Sequence, residues 1–196
     1  MAIENGYCSL SEFKAFGGIK STNAGDDAVL EQIIEAVSRY IDQKTGLYFY
    51  ADDAATKVIT PKMADMLQLG FPLRTITTLK TDDDGDGTYE NTWETTDYHL
   101  MPLNASVFHW IQTNVNGNYS FPVGILAGVQ IIGNCGYAAI PADIKMVCMN
   151  ICKNVDGRRE GQGSEAVEIT AAGILITPKD ISAYDNRVLM NYRRPL

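Results

Sequence analysis

Residues 7–48 read YCSLSEFKAFGGIKSTNAGDDAVLEQIIEAVSRYIDQKTGLY, and they spell out two helices with their start and stop signals. Ser9 with Glu12 makes a capping box for a short first helix. Gly17-Gly18 ends it, because glycine reaches the left-handed turn without steric cost. Gly25-Asp26-Asp27 opens a second helix and places acidic groups where the macrodipole is positive. Val29, Ile33, Val37 and Ile41 recur every four residues, with Leu30 and Ile34 beside them. That is one apolar stripe on a helix of roughly 27–30 Å. Thr45-Gly46 closes it. The stretch holds no catalytic residue; it is a helical packing unit whose other face is free to meet a neighbour.

Beyond Tyr48 the periodicity shortens to that of strands. Residues 57–60 (KVIT) stop at Pro61. Residues 73–80 alternate, with Leu73, Thr75, Thr77 and Leu79 on one side and Arg74, Ile76, Thr78 and Lys80 on the other. An acidic tip follows, Asp82-Asp83-Asp84-Gly85-Asp86-Gly87, in which Asp-Gly signals a hairpin. Residues 88–92, 98–101 and 107–113 continue as strand-like pieces. Asn116-Gly117 is a second hairpin signal, and residues 128–132 (GVQII) suit a buried strand broken by Gly133-Asn134 and Gly136. Pro141 then starts a helix. Ile144, Val147, Cys148, Ile151, Cys152 and Val155 form its stripe, and it is expected to end at Asp156-Gly157. A polar loop (158–164) and an extended stretch (165–176) lead to Thr177-Pro178-Lys179-Asp180. These cap a last helix carrying Ile181, Tyr184, Val188, Leu189 and Tyr192.

The expected fold is α+β: a small helical bundle of about four helices with a β-rich insertion of antiparallel hairpins in the middle. Residues 1–47 supply the N-terminal helices, 48–138 the insertion, and 139–196 the C-terminal helices that complete the bundle, with a tail. Consecutive elements tend to neighbour one another, so the late helices return onto the first pair.

Composition bounds the function. The chain has 196 residues, 45% hydrophobic and 20% charged, enough to bury a real core. A net charge of -8 argues against a nucleic-acid surface, which needs clustered Lys and Arg. DNA is free to pass nearby without specific binding. No run of about 18 apolar residues exists to span a membrane, and no basic-then-apolar leader opens the chain, so no secretory signal is expected. The four cysteines, Cys8, Cys135, Cys148 and Cys152, show no framework spacing and are expected as free thiols in a reducing cytoplasm.

Few constellations carry chemistry. Asp82, Asp84 and Asp86 alternate before Gly87 as in a calcium loop, which converges successive carboxylates on one ion. The twelfth position is Trp93 rather than an acid, and the flanks read as strands; Glu90 is the substitute ligand. The alternative is a solvated acidic hairpin tip. His99 and His109 lack Cys or carboxylate partners at metal spacing. Cys148 and Cys152 lie four apart on an apolar stripe with no second pair, so they read as core thiols. Tyr89, Trp93, Tyr98, Phe108, Trp110, Tyr119 and Phe121 suit a β core better than a sugar-binding face. There is no Gly-x-Ser-x-Gly elbow, phosphate-cradling loop or His-Glu pair. The chain is therefore not expected to be an enzyme, and no resident cofactor is expected beyond calcium at the acidic hairpin.

The order of these segments resembles the head–tail connector (adaptor) proteins of tailed bacteriophages. The short capped helix, the helix opened by Asp27 and Leu30, and the Thr45-Gly46 stop before an aromatic strand carry the match at the front. GYAAIPADIKMVCMNICK (136–153) and GILITPKDISAYDNRVLMNYRRP (173–195) carry it at the back. The middle, 48–135, is longer than in compact members. The resemblance implies a non-enzymatic virion subunit, assembled in the host cytoplasm and located at the neck. Such a subunit forms a ring with copies of itself, twelve-fold in the family, beneath the portal protein. The ring extends the DNA channel and meets a neck, stopper or tail protein. It further implies a C-terminal segment reaching toward the portal, which makes Tyr192, Arg193 and Arg194 the docking candidates. Two alternatives stand beside it: a stopper or tail-completion protein of the same neck, and a calcium-dependent β binding module.

Overall fold

A computed structural model describes residues 3–19, 24–159, 169–170, 173–174, 176 and 180–193. Among them the elements run α1 (Leu10–Gly17), α2 (Asp27–Thr45), β1 (Asp52–Ile59), β2 (Met66–Thr81), β3 (Asn91–Thr92), β4 (Tyr98–Met101), β5 (Phe108–Thr113), β6 (Val129–Cys135), α3 (Ala142–Arg159), β7 (Ile169–Thr170), β8 (Gly173–Ile174) and α4 (Ala183–Asn191). This is the α+β architecture expected, with a β-rich centre flanked by helices. The chain divides into two compact units, Met1–Tyr50 with Ile140–Leu196, and Ala51–Ala139.

In the helical unit the capping box forms as written. The Ser9 hydroxyl accepts the Glu12 N–H at 3.2 Å, and the Glu12 carboxylate accepts the Ser9 N–H at 2.8 Å. Gly18 (φ 72°) and Gly46 (φ 71°) close α1 and α2 in the left-handed region, as their positions predict. Asp26 makes no side-chain cap bond, and the acidic start of α2 favours the macrodipole while Asp27 also pairs with Lys14 of α1. Leu30, Ile33, Ile34, Val37 and Ile41 are buried on α2, and Ile144, Val147, Cys148, Ile151, Cys152 and Val155 on α3. Each large aliphatic side chain so buried contributes about 1.5–3 kcal/mol relative to exposure. α2 packs on α3, α1 on both, and α4 on α2 and α3; β7 and β8 form a small antiparallel pair, with β8 against α2.

Two helix boundaries differ from expectation. α3 runs through Gly157 to Arg159 rather than stopping at Asp156-Gly157. Its last turn is held by Arg158, whose guanidinium donates to the buried Asp180 carboxylate at 2.6 Å. α4 begins at Ala183 and is capped by Ser182, whose hydroxyl accepts the Asp185 N–H at 3.0 Å. Ile181 therefore precedes the helix, and Asp180 serves Arg158 instead of a cap. Residues 177–179 of the expected cap lie outside the described residues.

The β unit is one antiparallel sheet in the order β1-β6-β2-β5-β4, with β3 on the end of β2. β2 starts seven residues earlier than the alternation suggested, at Met66 instead of Leu73. It carries three register shifts, between Gln68/Leu73, Leu73/Thr75 and Ile76/Thr78. Such irregularities bend a strand and increase its twist. Pro72 falls inside the first of them, and its carbonyl accepts the Gly136 N–H at 2.8 Å.

Gly133 does not break β6 as expected, and the strand continues to Cys135. A Cβ at Gly133 would lie 2.1 Å from the Thr75 carbonyl oxygen of β2. The glycine is there because two backbones approach closely. Asn116-Gly117 also departs from expectation. It sits in a tight turn closed by the Gly117 N–H on the Asn114 carbonyl at 2.9 Å. The strands on either side of it do not pair, because β5 neighbours β2 and β4 while β6 lies between β1 and β2. Of the aromatic centre, Trp93, Tyr98 and Phe121 are core, while Tyr89, Phe108, Trp110 and Tyr119 are half-buried. Trp93 stacks on Phe121 (4.7 Å, 16°) and on Tyr119 (5.6 Å, 29°), and its indole N–H donates to the Thr81 hydroxyl.

Candidate functional site

Three places in the molecule concentrate chemistry or contact potential: the end of α4, the acidic loop, and a group of thiols beneath α1.

Tyr192 caps α4, with its N–H donating to the Leu189 carbonyl at 3.1 Å. Its ring meets Phe49 edge-on at 5.3 Å, and its hydroxyl donates to the Asp143 carboxylate, 2.9 Å from either oxygen. It is a packed residue of the helical unit as much as a docking candidate. Arg193 follows in the open, its side chain exposed. Arg194 lies outside the described residues.

Phe49 is itself fixed from below. The Tyr7 hydroxyl accepts the Phe49 N–H at 2.9 Å and donates to Asp42. Burial, followed by the Asp42 contact, pushes the Tyr7 phenol well above its ordinary range; burial also pushes the Asp42 carboxyl up, against the pull of Tyr7 and Arg39. The start of the chain, the end of α2 and the end of α4 thus share one aromatic–carboxylate contact set.

In the β unit the acidic tip joins β2 to β3, so the hairpin signalled by the sequence is formed. Asp82 is buried while Asp84, Asp86 and Glu90 are exposed. The Asp82 carboxylate accepts the N–H groups of Gly85 at 2.6 Å and Gly87 at 2.9 Å. Both glycines have positive φ (81° and 90°), which lets the loop curl around it. Asp84 and Asp86 accept the N–H groups of Asp86 and Thr88. Burial would raise the Asp82 carboxyl, but the Gly85 and Gly87 amides, together with hydrogen bonds from Asp84, outweigh it and hold it below the ordinary value. One carboxylate oxygen from each of Asp82, Asp84, Asp86 and Glu90 lies within 4.8 Å of the others. The loop therefore brings together all four residues of the sequence-derived set. Oxygen donors so gathered suit a hard divalent cation. His99 is exposed and His109 half-buried, on β4 and β5 respectively.

The thiols were legible only in part. Cys148 and Cys152 lie one turn apart on α3, 3.9 Å between sulfurs, as their spacing requires. Cys8, 140 positions away in sequence, brings its sulfur to 3.9 Å from that of Cys148. All three are buried. Hydrogen bonds from Cys148 and Cys152 hold the Cys8 thiol below its ordinary value, while burial pushes that of Cys152 up. Nothing in the spacing signalled this meeting; only the packing of α1 and its leading residues on α3 creates it.

Comparison with known proteins points to one setting. Residues 7–69 match the family described as Phage gp6-like head-tail connector protein. Among curated proteins none matches the sequence significantly. The fold is similar to a chain in the virion of a native gene transfer agent particle, with a TM-score of 0.62 and 19% identity over 100% of this chain and 95% of that one. It is similar to a chain in the neck of the empty particle computed with C6 symmetry (TM-score 0.61, 17% identity, covering 100% and 95%). A chain in the neck of the native particle computed with C12 symmetry gives 0.59 at 17% identity, covering 100% and 94%. At such identities these structures establish the shared fold. The resemblance read from the sequence holds: residues 7–69, which span the two N-terminal helices, β1 and the start of β2, carry the signature of the gp6-like head–tail connector proteins, within a fold similar to chains in the neck and virion of a gene transfer agent particle.

Proposed function

We propose that this protein is a structural subunit of a virion neck, a head–tail connector that forms a ring beneath the portal, extends the DNA channel and joins the capsid to the neck or tail. The observation that carries the reading is the coincidence of two independent likenesses. Residues 7–69 match the connector family, and the whole chain follows the fold of neck chains from particles computed with C6 and C12 symmetry. Ring assembly also suits the physics. Cyclic contacts between identical subunits use the flanks left over when an apolar stripe is buried inward. α2 leaves Gln32 and Gln43 exposed on the side away from its buried stripe. A channel lined by subunits of charge -8 repels duplex DNA and lets it slide. The role is one of assembly rather than catalysis.

The test is reconstitution. The purified protein mixed with its portal protein is expected to give rings seated on portals by negative-stain microscopy and a mass shift by light scattering. Free monomer in the presence of portal defeats the reading. A second reading concerns the β unit alone: the converging carboxylates of Asp82, Asp84, Asp86 and Glu90 favour a calcium ion at the acidic loop.

A further inference from the structure

Three of the four cysteines in the chain converge at one buried point. Cys8 comes from the turn that leads into the α1 capping box; Cys148 and Cys152 come from successive turns of α3. The sulfur separations are 3.9 Å for Cys8–Cys148 and 3.9 Å for Cys148–Cys152, and all three sulfurs lie within 4.8 Å of one another. A metal ion about 2.3 Å from each of three thiolates spaces the sulfurs by about 3.8 Å in a tetrahedral site and about 4.0 Å in a trigonal one. Two of the three separations already match that spacing, and the third lies within 4.8 Å. Free cysteines pack in cores as small hydrophobes, but three sulfurs turned to one point also make a ready ligand set.

The surroundings suit an ion with soft ligands. Cys148 and Cys152 have no exposure and Cys8 has 4%. Cys8 borders an open surface groove of about 650 Å³ whose lining includes Glu12, Glu31, Ile140 and Lys145. That groove gives an ion a path from solvent to the first sulfur. The Ser38 hydroxyl lies 3.9 Å from the Cys148 sulfur and is engaged with the Ile34 carbonyl at 2.7 Å. It packs beside the group, so a fourth ligand would come from the groove side.

We propose that Cys8, Cys148 and Cys152 form a tri-thiolate site for a thiophilic d10 cation, Zn2+ or Cu(I). Each thiol gives up its proton to solvent, and each sulfur donates a lone pair to the ion. No electron changes hands. Held this way, the ion cross-links the start of the chain to α3 and clamps α1 onto the bundle. Its contribution is to stability, and it is independent of the role proposed for the neck.

The experiment is a titration of the full-length, reduced, metal-stripped protein with Cd2+ and, separately, Zn2+. Expected are one ion per chain, the ultraviolet thiolate-to-cadmium charge-transfer band, release of protons on binding, and a higher melting temperature. Cys8→Ser and Cys148→Ser each remove a direct ligand and should weaken binding by more than about 100-fold, the upper range for loss of an outer-shell partner alone. Cys135→Ser and Asp84→Asn should leave the band and the stoichiometry unchanged, since Cys135 sits in the β unit and carboxylates give no such band. Melting the metal-free variants establishes that they fold. Should Cys148→Ser fail to fold, Cys8→Ser decides, because its side chain lies at the edge of the cluster. Absence of the band at equimolar Cd2+, or a band that survives Cys8→Ser undiminished, overturns the proposal.

Discussion

The Tyr192 hydroxyl sits 2.9 Å from both carboxylate oxygens of Asp143, tying the end of α4 to the first turn of α3. The residue expected from sequence to belong to a free tail is therefore half inside the bundle, with Phe49 against its ring. Tyr192 is thus a folding residue, and the proposed docking to the portal falls to the exposed arginine that follows it.

That division gives the first prediction. Tyr192→Phe should lower the stability of the helical unit by about 1 kcal/mol, the usual net worth of one hydrogen bond. Removing residues 193–196 should leave the melting temperature unchanged but sharply weaken attachment to the portal protein. Pull-down and thermal melts of both variants check it. Truncated protein that still decorates portals normally would move the contact to the exposed side of α2.

Gly133→Ala should cost about 3 kcal/mol or more, at the upper end of overpacking penalties. The added methyl would meet the Thr75 carbonyl oxygen at 2.1 Å, and that atom belongs to the backbone of a central strand. Urea unfolding of the two proteins measures the difference. A loss under about 1 kcal/mol would mean that β2 and β6 separate more easily than their pairing implies.

Asp97 should make the β unit sensitive to acid. Its buried carboxylate accepts the N–H groups of Asn118 at 3.0 Å and Glu94 at 2.8 Å, and the Asn118 amide side chain at 3.3 Å. The Asn118 and Glu94 amides hold its carboxyl below the ordinary value. A depressed folded-state pKa stabilises above the unfolded value of about 3.9 and is lost as pH falls through the folded one. Melting temperature plotted against pH should drop on the acid side, and Asp97→Asn should flatten that drop.

For the acidic loop, calcium added to chelator-treated protein should raise the melting temperature of the β unit, and Asp84→Asn should remove the response. Equal melts with and without calcium would leave the loop held by its own amides, as Asp82 already is.

Local signals carried much of the fold. The capping box at Ser9, the glycine stops at Gly18 and Gly46, and the stripes of α2 and α3 depend on neighbours three or four residues away, so they are written in consecutive letters. The acidic hairpin was legible for the same reason, and its four carboxylates are close in sequence as well as in space. The family likeness rested on the order of those local signals. What the sequence could not determine by itself was every feature that needs two distant segments. Gly133 read as a strand breaker because the Thr75 backbone it accommodates lies 58 positions earlier. Asn116-Gly117 read as a hairpin because strand order is set by which edges bury most apolar surface, not by the turn alone. Tyr192 read as tail because Asp143 and Phe49 are remote. Cys8 read as an isolated thiol because only the packing of the first turn against α3 carries it across 140 residues to Cys148. Periodicity and caps act through the local backbone, whereas close approach, pairing and side-chain convergence follow from how the whole chain buries its surface.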